Sequence, residues 1–159
     1  MADVWLRVVL GALFAGMAVG QALSWSQMTA ILTAYQVTAG AGSTVLAGAL
    51  LGAQVVVAVW FLAFPRSSAL LPVSLYAAVA LTWTVLGLQA IVRGIPVDNC
   101  GCFGSYLSQP LSWFTLAQDG LLLVYAVVLV RLARRGRRRP ADRSGSPGRA
   151  QSTSPGGHP

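Results

Sequence analysis

The chain carries two cysteines in 159 residues, and they stand one residue apart in "DNCGCFGSYLSQP", residues 98–110. Thiols this close suit disulfide exchange: a thiolate attacks a disulfide sulfur, and the second cysteine resolves the mixed disulfide that results. Bridging Cys100 and Cys102 requires a bend that brings their Cα atoms within about 7 Å, and Gly101 has the backbone freedom for it. So small a ring is strained, and strained, exposed disulfides have the higher reduction potentials of labile or catalytic pairs. Two other chemistries compete. A structural staple stabilises mainly by closing a long loop, whereas this bridge encloses a single residue. Two soft sulfurs can also hold Cu(I). Zinc needs three or four protein ligands, and the chain offers no third cysteine and one histidine, His158, in its terminal tail. Redox exchange without a metal fits the pattern best, with Cu(I) binding as a minor alternative.

A second set of candidates lies inside apolar sequence. Asp119 falls eight residues into a hydrophobic run, about 12 Å below its start at helical rise. An acidic residue at that depth is a functional candidate by default. Gln54 falls at a comparable depth in another run, so the two are expected to meet, either as a structural hydrogen bond or as part of a proton path. Gln89 and Gln118 are further partners for them. Trp25, Trp113 and Phe114 stand near the same end, where they would either flank a quinone ring or belong to the interfacial belt of aromatic residues.

These residues are positioned by a chain that is 55% hydrophobic and only 9% charged, a composition that excludes a soluble globular domain. Crossing a hydrocarbon core takes about 20 apolar residues, and four runs qualify: about 5–25, 44–64, 69–92 and 111–132. The expectation is an all-α integral membrane four-helix bundle over residues 1–132. The first run is read as a membrane helix rather than a signal peptide, because its apolar part is too long and no small-x-small cleavage site follows. Gly16 with Gly20, and Gly48 with Gly52, have the small-xxx-small spacing that lets helices approach closely in lipid. Pro65 and Pro72 bracket a tight turn, and Pro110 precedes the fourth run, where a first-turn proline is tolerated. Met28, Ile31, Leu32 and Tyr35 recur at helical spacing, so Ser26 to Tyr35 should form a short amphipathic outer helix able to roof the cysteine loop.

Charge sets the orientation. All 11 basic residues are arginine, and ten of them lie ahead of the first run's core, in the turn at Arg66, or at and beyond the end of the fourth run. Arg93 alone lies on the other side. The positive-inside rule then puts both termini in the cytoplasm and the Cys-Gly-Cys loop outside, where disulfides persist. Arginine without lysine fits a GC-rich bacterial genome, and hence a bacterial cytoplasmic membrane. Residues 133–159, rich in Arg, Pro, Gly and Ser, read as a disordered cytoplasmic tail whose arginines anchor topology on lipid phosphates rather than bind nucleic acid.

The segment "CGCFG" from Cys100 to Gly104, with Gly101, Phe103 and Gly104 framing the two cysteines, is followed by "PLSW" from Pro110 to Trp113 and an acidic residue in the last helix. Together with Tyr35 at the end of the amphipathic stretch, this resembles the methylamine utilisation protein MauE family within the DoxX-like four-helix membrane proteins. Gln21 and Gln54 stand where family members often carry a lysine and a glutamate, so no role that needs those charges is carried over. The resemblance implies a membrane partner of an extracytoplasmic thioredoxin-like protein, supporting disulfide formation or maturation of an exported enzyme. It also implies a layout like that of DsbB and vitamin K epoxide reductase, which pass thiol electrons to quinone through two cysteine pairs. With one pair, Cys100 and Cys102 would do both jobs, or another membrane redox subunit would complete the circuit. A non-enzymatic assembly or scaffold subunit that docks the same partner is the alternative.

Overall fold

The computed structural model of the chain describes residues 2–67, 69–106 and 108–143. Five helices follow in order: α1 (Ala2–Leu23), α2 (Trp25–Ala34), α3 (Ala41–Ala63), α4 (Leu70–Val92) and α5 (Trp113–Arg143), with no strand among the described residues. Four of them contain apolar stretches long enough to cross a membrane: Val4–Leu23, Ala41–Ala63, Leu70–Val92 and Trp113–Arg134. Only 22–39% of each stretch is buried within the chain, so most of this apolar surface needs another apolar medium around it. Lipid supplies that medium, and the chain is a multi-pass membrane bundle.

Every backbone polar group inside lipid must be satisfied within the chain, which is why the spans are unbroken helices. Their breaks occur where local chemistry permits. At Ser24 the hydroxyl donates to the Gly20 carbonyl at 2.7 Å while the Ser24 carbonyl accepts from Gln27 and Met28, so α1 hands over to α2 without an orphaned group. The α3–α4 turn closes with the Ser67 amide on the Phe64 carbonyl at 3.0 Å and the Ala69 amide on the Ser67 hydroxyl at 3.2 Å. Helix α5 continues past the apolar stretch to Arg143, since a change in polarity does not by itself end a helix, and it does so through Gly136 and Pro140, which helix propensity alone would disfavour. The disorder expected over residues 133–159 is corrected for 133–143, which continue α5 as helix, while 144–159 lie outside the described residues.

Helix α3 packs on α1 and α4, and α5 packs on α4. The centre is an aromatic cluster in which Tyr76 of α4 meets Phe14 of α1 at 5.0 Å and Phe61 of α3 at 6.0 Å between ring centroids. The Tyr76 hydroxyl reaches α5, donating to the Leu122 carbonyl at 2.9 Å. Arg7 is buried with its guanidinium 5.6 Å from the Phe61 ring centroid, a cation–π arrangement that suits a cation out of water.

Two sequence expectations change in the folded bundle. Gly16 and Gly20 do not admit a neighbouring helix. A side chain at either would meet Phe103 of the cysteine loop, and Gly52 faces open space. Gln54 and Asp119 also do not meet, although their depths match, because α3 and α5 share no packed face. Gln54 is fully buried with neither amide atom hydrogen-bonded. Leaving such a group unsatisfied costs about 1–3 kcal/mol. Gln54→Leu, similar in volume, is therefore expected to raise the thermal unfolding midpoint of the purified protein, and a lowered midpoint would show that the amide is satisfied in the folded state.

Candidate functional site

The cysteine loop runs from α4 to α5 and folds back into the bundle end formed by α1 and α2. Asn99 starts the turn, its side-chain oxygen accepting from the Gly101 amide at 3.0 Å and its amide donating to the Gly104 carbonyl at 2.9 Å. The Gly104 amide closes the turn on the Gly101 carbonyl at 3.1 Å. Both glycines adopt positive φ, 82° at Gly101 and 65° at Gly104, a region that strains other residues. At Gly104 a side chain would also strike the Ser24 hydroxyl and the Gly20 carbonyl. The glycines of "CGCFG" thus serve geometry, bending the chain tightly and seating it against α1.

Three side chains from other elements hold this loop. Gln21, at the end of α1 and fully buried, donates through Nε2 to the Gly101 carbonyl at 3.2 Å and the Cys102 carbonyl at 3.0 Å. Tyr35, closing α2, donates its hydroxyl to the Cys100 carbonyl at 2.9 Å. The Ser24 hydroxyl accepts the Ser105 amide at 3.2 Å. Within the loop itself the Cys100 amide donates to the Gln109 carbonyl at 2.9 Å. From above, Met28 and Ile31 of α2 lie against the Gly101 position and Trp83 of α4 against its side, so the amphipathic helix roofs the loop as its periodicity implied. Gln89 of α4 fixes that roof by donating to the Tyr35 carbonyl at 2.7 Å, and Arg93 in turn donates to Gln89 at 3.1 Å.

Beneath the loop, between α1 and α5, lies a cleft of about 300 Å³. Cys100, Cys102, Phe103 and Gln109 form its mouth, Leu10, Leu13 and Met17 one wall, and Gln118, Asp119, Leu122 and Tyr125 the other. The cleft brings together both cysteines, Phe103 and Asp119 from the sequence-derived candidates, and Gln118 beside them. Gln54 lies outside it on α3. Trp25, Trp113 and Phe114 do not line it either: they are 39%, 68% and 70% exposed, an outward placement that suits an aromatic belt. Ser24 and Asn99 are positioning residues that sequence reasoning did not single out, and Gln21 entered it only as a departure from the family pattern. Gln21 carried the one available signal, a polar residue near the end of an apolar run.

Both cysteines are free thiols, Cys100 buried and Cys102 partly exposed. Hydrogen bonding from Cys102 holds the Cys100 thiol down to about 7, against the opposing effect of its burial. The same bond, with burial, pushes the Cys102 thiol well above the ordinary range. The thiolate of the pair is therefore favoured on Cys100 over Cys102. Burial raises the Tyr35 phenol, aided by the two neighbouring cysteines, so it stays protonated and keeps donating to the loop.

Alkylation by iodoacetamide reads the thiolate directly, since the thiolate is the nucleophile. The rate at Cys100 should rise with pH through a midpoint near 7. In Cys102→Ala the midpoint should move toward the free-thiol value of about 8.5, slowing the reaction at pH 7 about tenfold. An unmoved midpoint would show that Cys102 does not hold the Cys100 thiolate.

The comparisons with known proteins agree with this architecture. A family model described as "Methylamine utilisation protein MauE" matches residues 1–133, which take in all four membrane stretches but the last residue of the fourth, together with the roof helix and the cysteine loop. No curated protein and no solved structure matches the chain. With more than half of its length under that one model, the chain belongs to the MauE family.

Proposed function

We propose that this chain is a membrane thiol–disulfide exchange protein whose Cys100–Cys102 pair trades two electrons with an extracytoplasmic thioredoxin-like protein, in support of disulfide formation in an exported enzyme or its maturation. One observation carries the reading. The chain's only two thiols stand together at the mouth of a cleft, on a loop whose carbonyls are held by Gln21 of α1 and by Tyr35 at the end of α2. A staple would not need a lowered thiol, whereas exchange does. The ten-to-one distribution of arginines supports the outward orientation of the loop.

The exchange balances as follows. One thiolate of the reduced pair attacks the partner's disulfide, whose S–S bond breaks as a mixed disulfide forms, and the released partner sulfur takes up a proton from solvent, replacing the one that the attacking thiol gave up on ionising. The second cysteine gives up its proton and attacks the mixed disulfide. The Cys100–Cys102 bond forms and the partner leaves as a dithiol, two electrons and two protons richer. The reverse sequence oxidises the partner. The apolar walls and volume of the α1–α5 cleft also fit a quinone ring, which supplies two-electron oxidation when bound. Asp119, 6% exposed on that wall, would exchange protons with the sulfurs in this reading.

In intact cells, the Cys100→Ser and Cys102→Ser variants should each retain one thiol that a membrane-impermeant maleimide labels from outside. One of the two should accumulate a mixed disulfide with a thioredoxin-like protein, identified by mass spectrometry after non-reducing electrophoresis. A double serine variant that still supports full maturation of the exported enzyme would sink the exchange reading and leave a scaffold subunit that only docks the partner.

Asp119→Asn separates packing from proton transfer, since the amide keeps the shape but cannot titrate. If Asp119 moves protons, reduction or oxidation of the cysteine pair should slow about a hundredfold, with the thermal midpoint nearly unchanged. Wild-type rates from pH 5 to 9 would return Asp119 to a structural role.

A further inference from the structure

Another cavity, shared by α5 with α4 rather than with α1, has no lining residue in common with the cysteine cleft, and nothing in the exchange chemistry uses it. Between α4 and α5 runs a groove of about 460 Å³. Its floor is apolar, with Ala77 and Leu81 from α4 and Val127 and Val130 from α5, and at one end stand Arg131 and Arg134. Helical spacing puts Val127, Val130, Arg131 and Arg134 on one stripe of α5, so the two guanidinium stems rise from the same strip that lines the groove. Neither arginine has an ion-pair or hydrogen-bond partner among the described residues.

Position along the helix decides what such a groove can hold. Arg131 and Arg134 fall in the final turn of the stretch Trp113–Arg134, where the apolar segment gives way to the arginine-rich one. That is the level at which lipid hydrocarbon meets headgroups, and long basic side chains reach for phosphate there. Below this level Leu81 and Val127 are 53% and 50% exposed, so the groove opens on lipid along its length. An occupant must be apolar over the length of the groove and anionic at the arginine end. Basic pockets between membrane helices recognise anionic lipid headgroups in this manner.

We propose that the α4–α5 groove is a specific site for one anionic phospholipid, an acyl chain lying on Leu81 and Val127 and the phosphate held between Arg131 and Arg134. The site requires both parts. The arginines alone would attract anionic lipid anywhere around the end of α5, and the groove alone would accept any acyl chain. Together they select the anionic lipid at one place, and its binding ties α5 to α4 independently of the cysteine loop.

Native mass spectrometry of the full chain, released from nanodiscs of mixed phosphatidylcholine and phosphatidylglycerol, tests this. The wild type should retain one phosphatidylglycerol in preference to phosphatidylcholine. The R131Q/R134Q variant should lose about thirtyfold of that preference, corresponding to roughly 1 kcal/mol for each arginine near the surface. The filled variants Leu81→Trp and Val127→Trp, both at exposed positions, should lose retained lipid although the arginines remain. Arg66→Gln, at the same end of the bundle but off the groove, should retain lipid as the wild type does. Thermal unfolding in detergent gives a second readout: added phosphatidylglycerol should raise the midpoint of the wild type but not of R131Q/R134Q. Wild-type preference in R131Q/R134Q or in both filled variants would overturn the proposal, as would an equal stabilisation by inorganic phosphate.

Discussion

The geometry of the cysteine loop depends on hydrogen bonds to carbonyls that water cannot reach. A segment that is neither helix nor strand, pressed into an apolar bundle, exposes peptide groups that its own backbone does not pair, and each orphan costs about as much as a lost hydrogen bond. Gln21 answers this for two residues at once, its amide lying between the carbonyls of Gly101 and Cys102. Tyr35 answers it for Cys100. The consequence is chemical as well as structural. With three consecutive carbonyls pinned, the two sulfurs are held on one short arc, and the hydrogen bond between them lowers one thiol at the expense of the other.

That constraint explains the arrangement of the elements around it. Helix α2 contributes no membrane crossing, yet Met28, Leu32 and Tyr35 are among the most buried residues of the chain. Its role is to bring Tyr35 to Cys100 and to close the top of the loop with Met28 and Ile31. Gln89 and Arg93 at the end of α4 then secure the end of α2 from the side. Gly20 leaves the room on α1 into which the Phe103 backbone settles. The end of the bundle is thus a small polar device built from the tips of α1, α2 and α4, and the aromatic cluster around Tyr76 gives those tips a fixed base.

Much of this was legible in the sequence, and the gaps have physical reasons. Length and apolarity identify spanning helices because the bilayer imposes one dimension, and period alone reveals the α2 roof. The cysteines stand out because they are the only two thiols of the chain and lie one residue apart, a spacing visible without any fold. Depth, too, is readable by counting residues, but azimuth is not: Gln54 and Asp119 match in depth and still belong to helices that do not face each other. The glycine spacing signals a close approach without saying of what, and at Gly20 the visitor is a loop rather than a helix. Gln21, Ser24 and Asn99 were the hardest to see, because a side chain that serves backbone groups leaves no pattern in residue types.

The single cysteine pair sits where two environments meet. On one side the loop faces the end of the bundle, where α2 only partly covers it and Cys102 keeps some exposure. On the other, the same sulfurs line an apolar cleft that runs down between α1 and α5 to Asp119. Proteins that use two cysteine pairs separate these contacts by distance and must then move electrons between the pairs. If the pair exchanges electrons as proposed, both contacts lie a few atoms apart and no internal relay would be required. Such a cycle would instead need protons balanced at one place, and the buried carboxyl group of Asp119 lines the same cleft as the two sulfurs. On that proposal, a chain with the loop but without an acid on that wall would have to take its protons from the partner or the solvent.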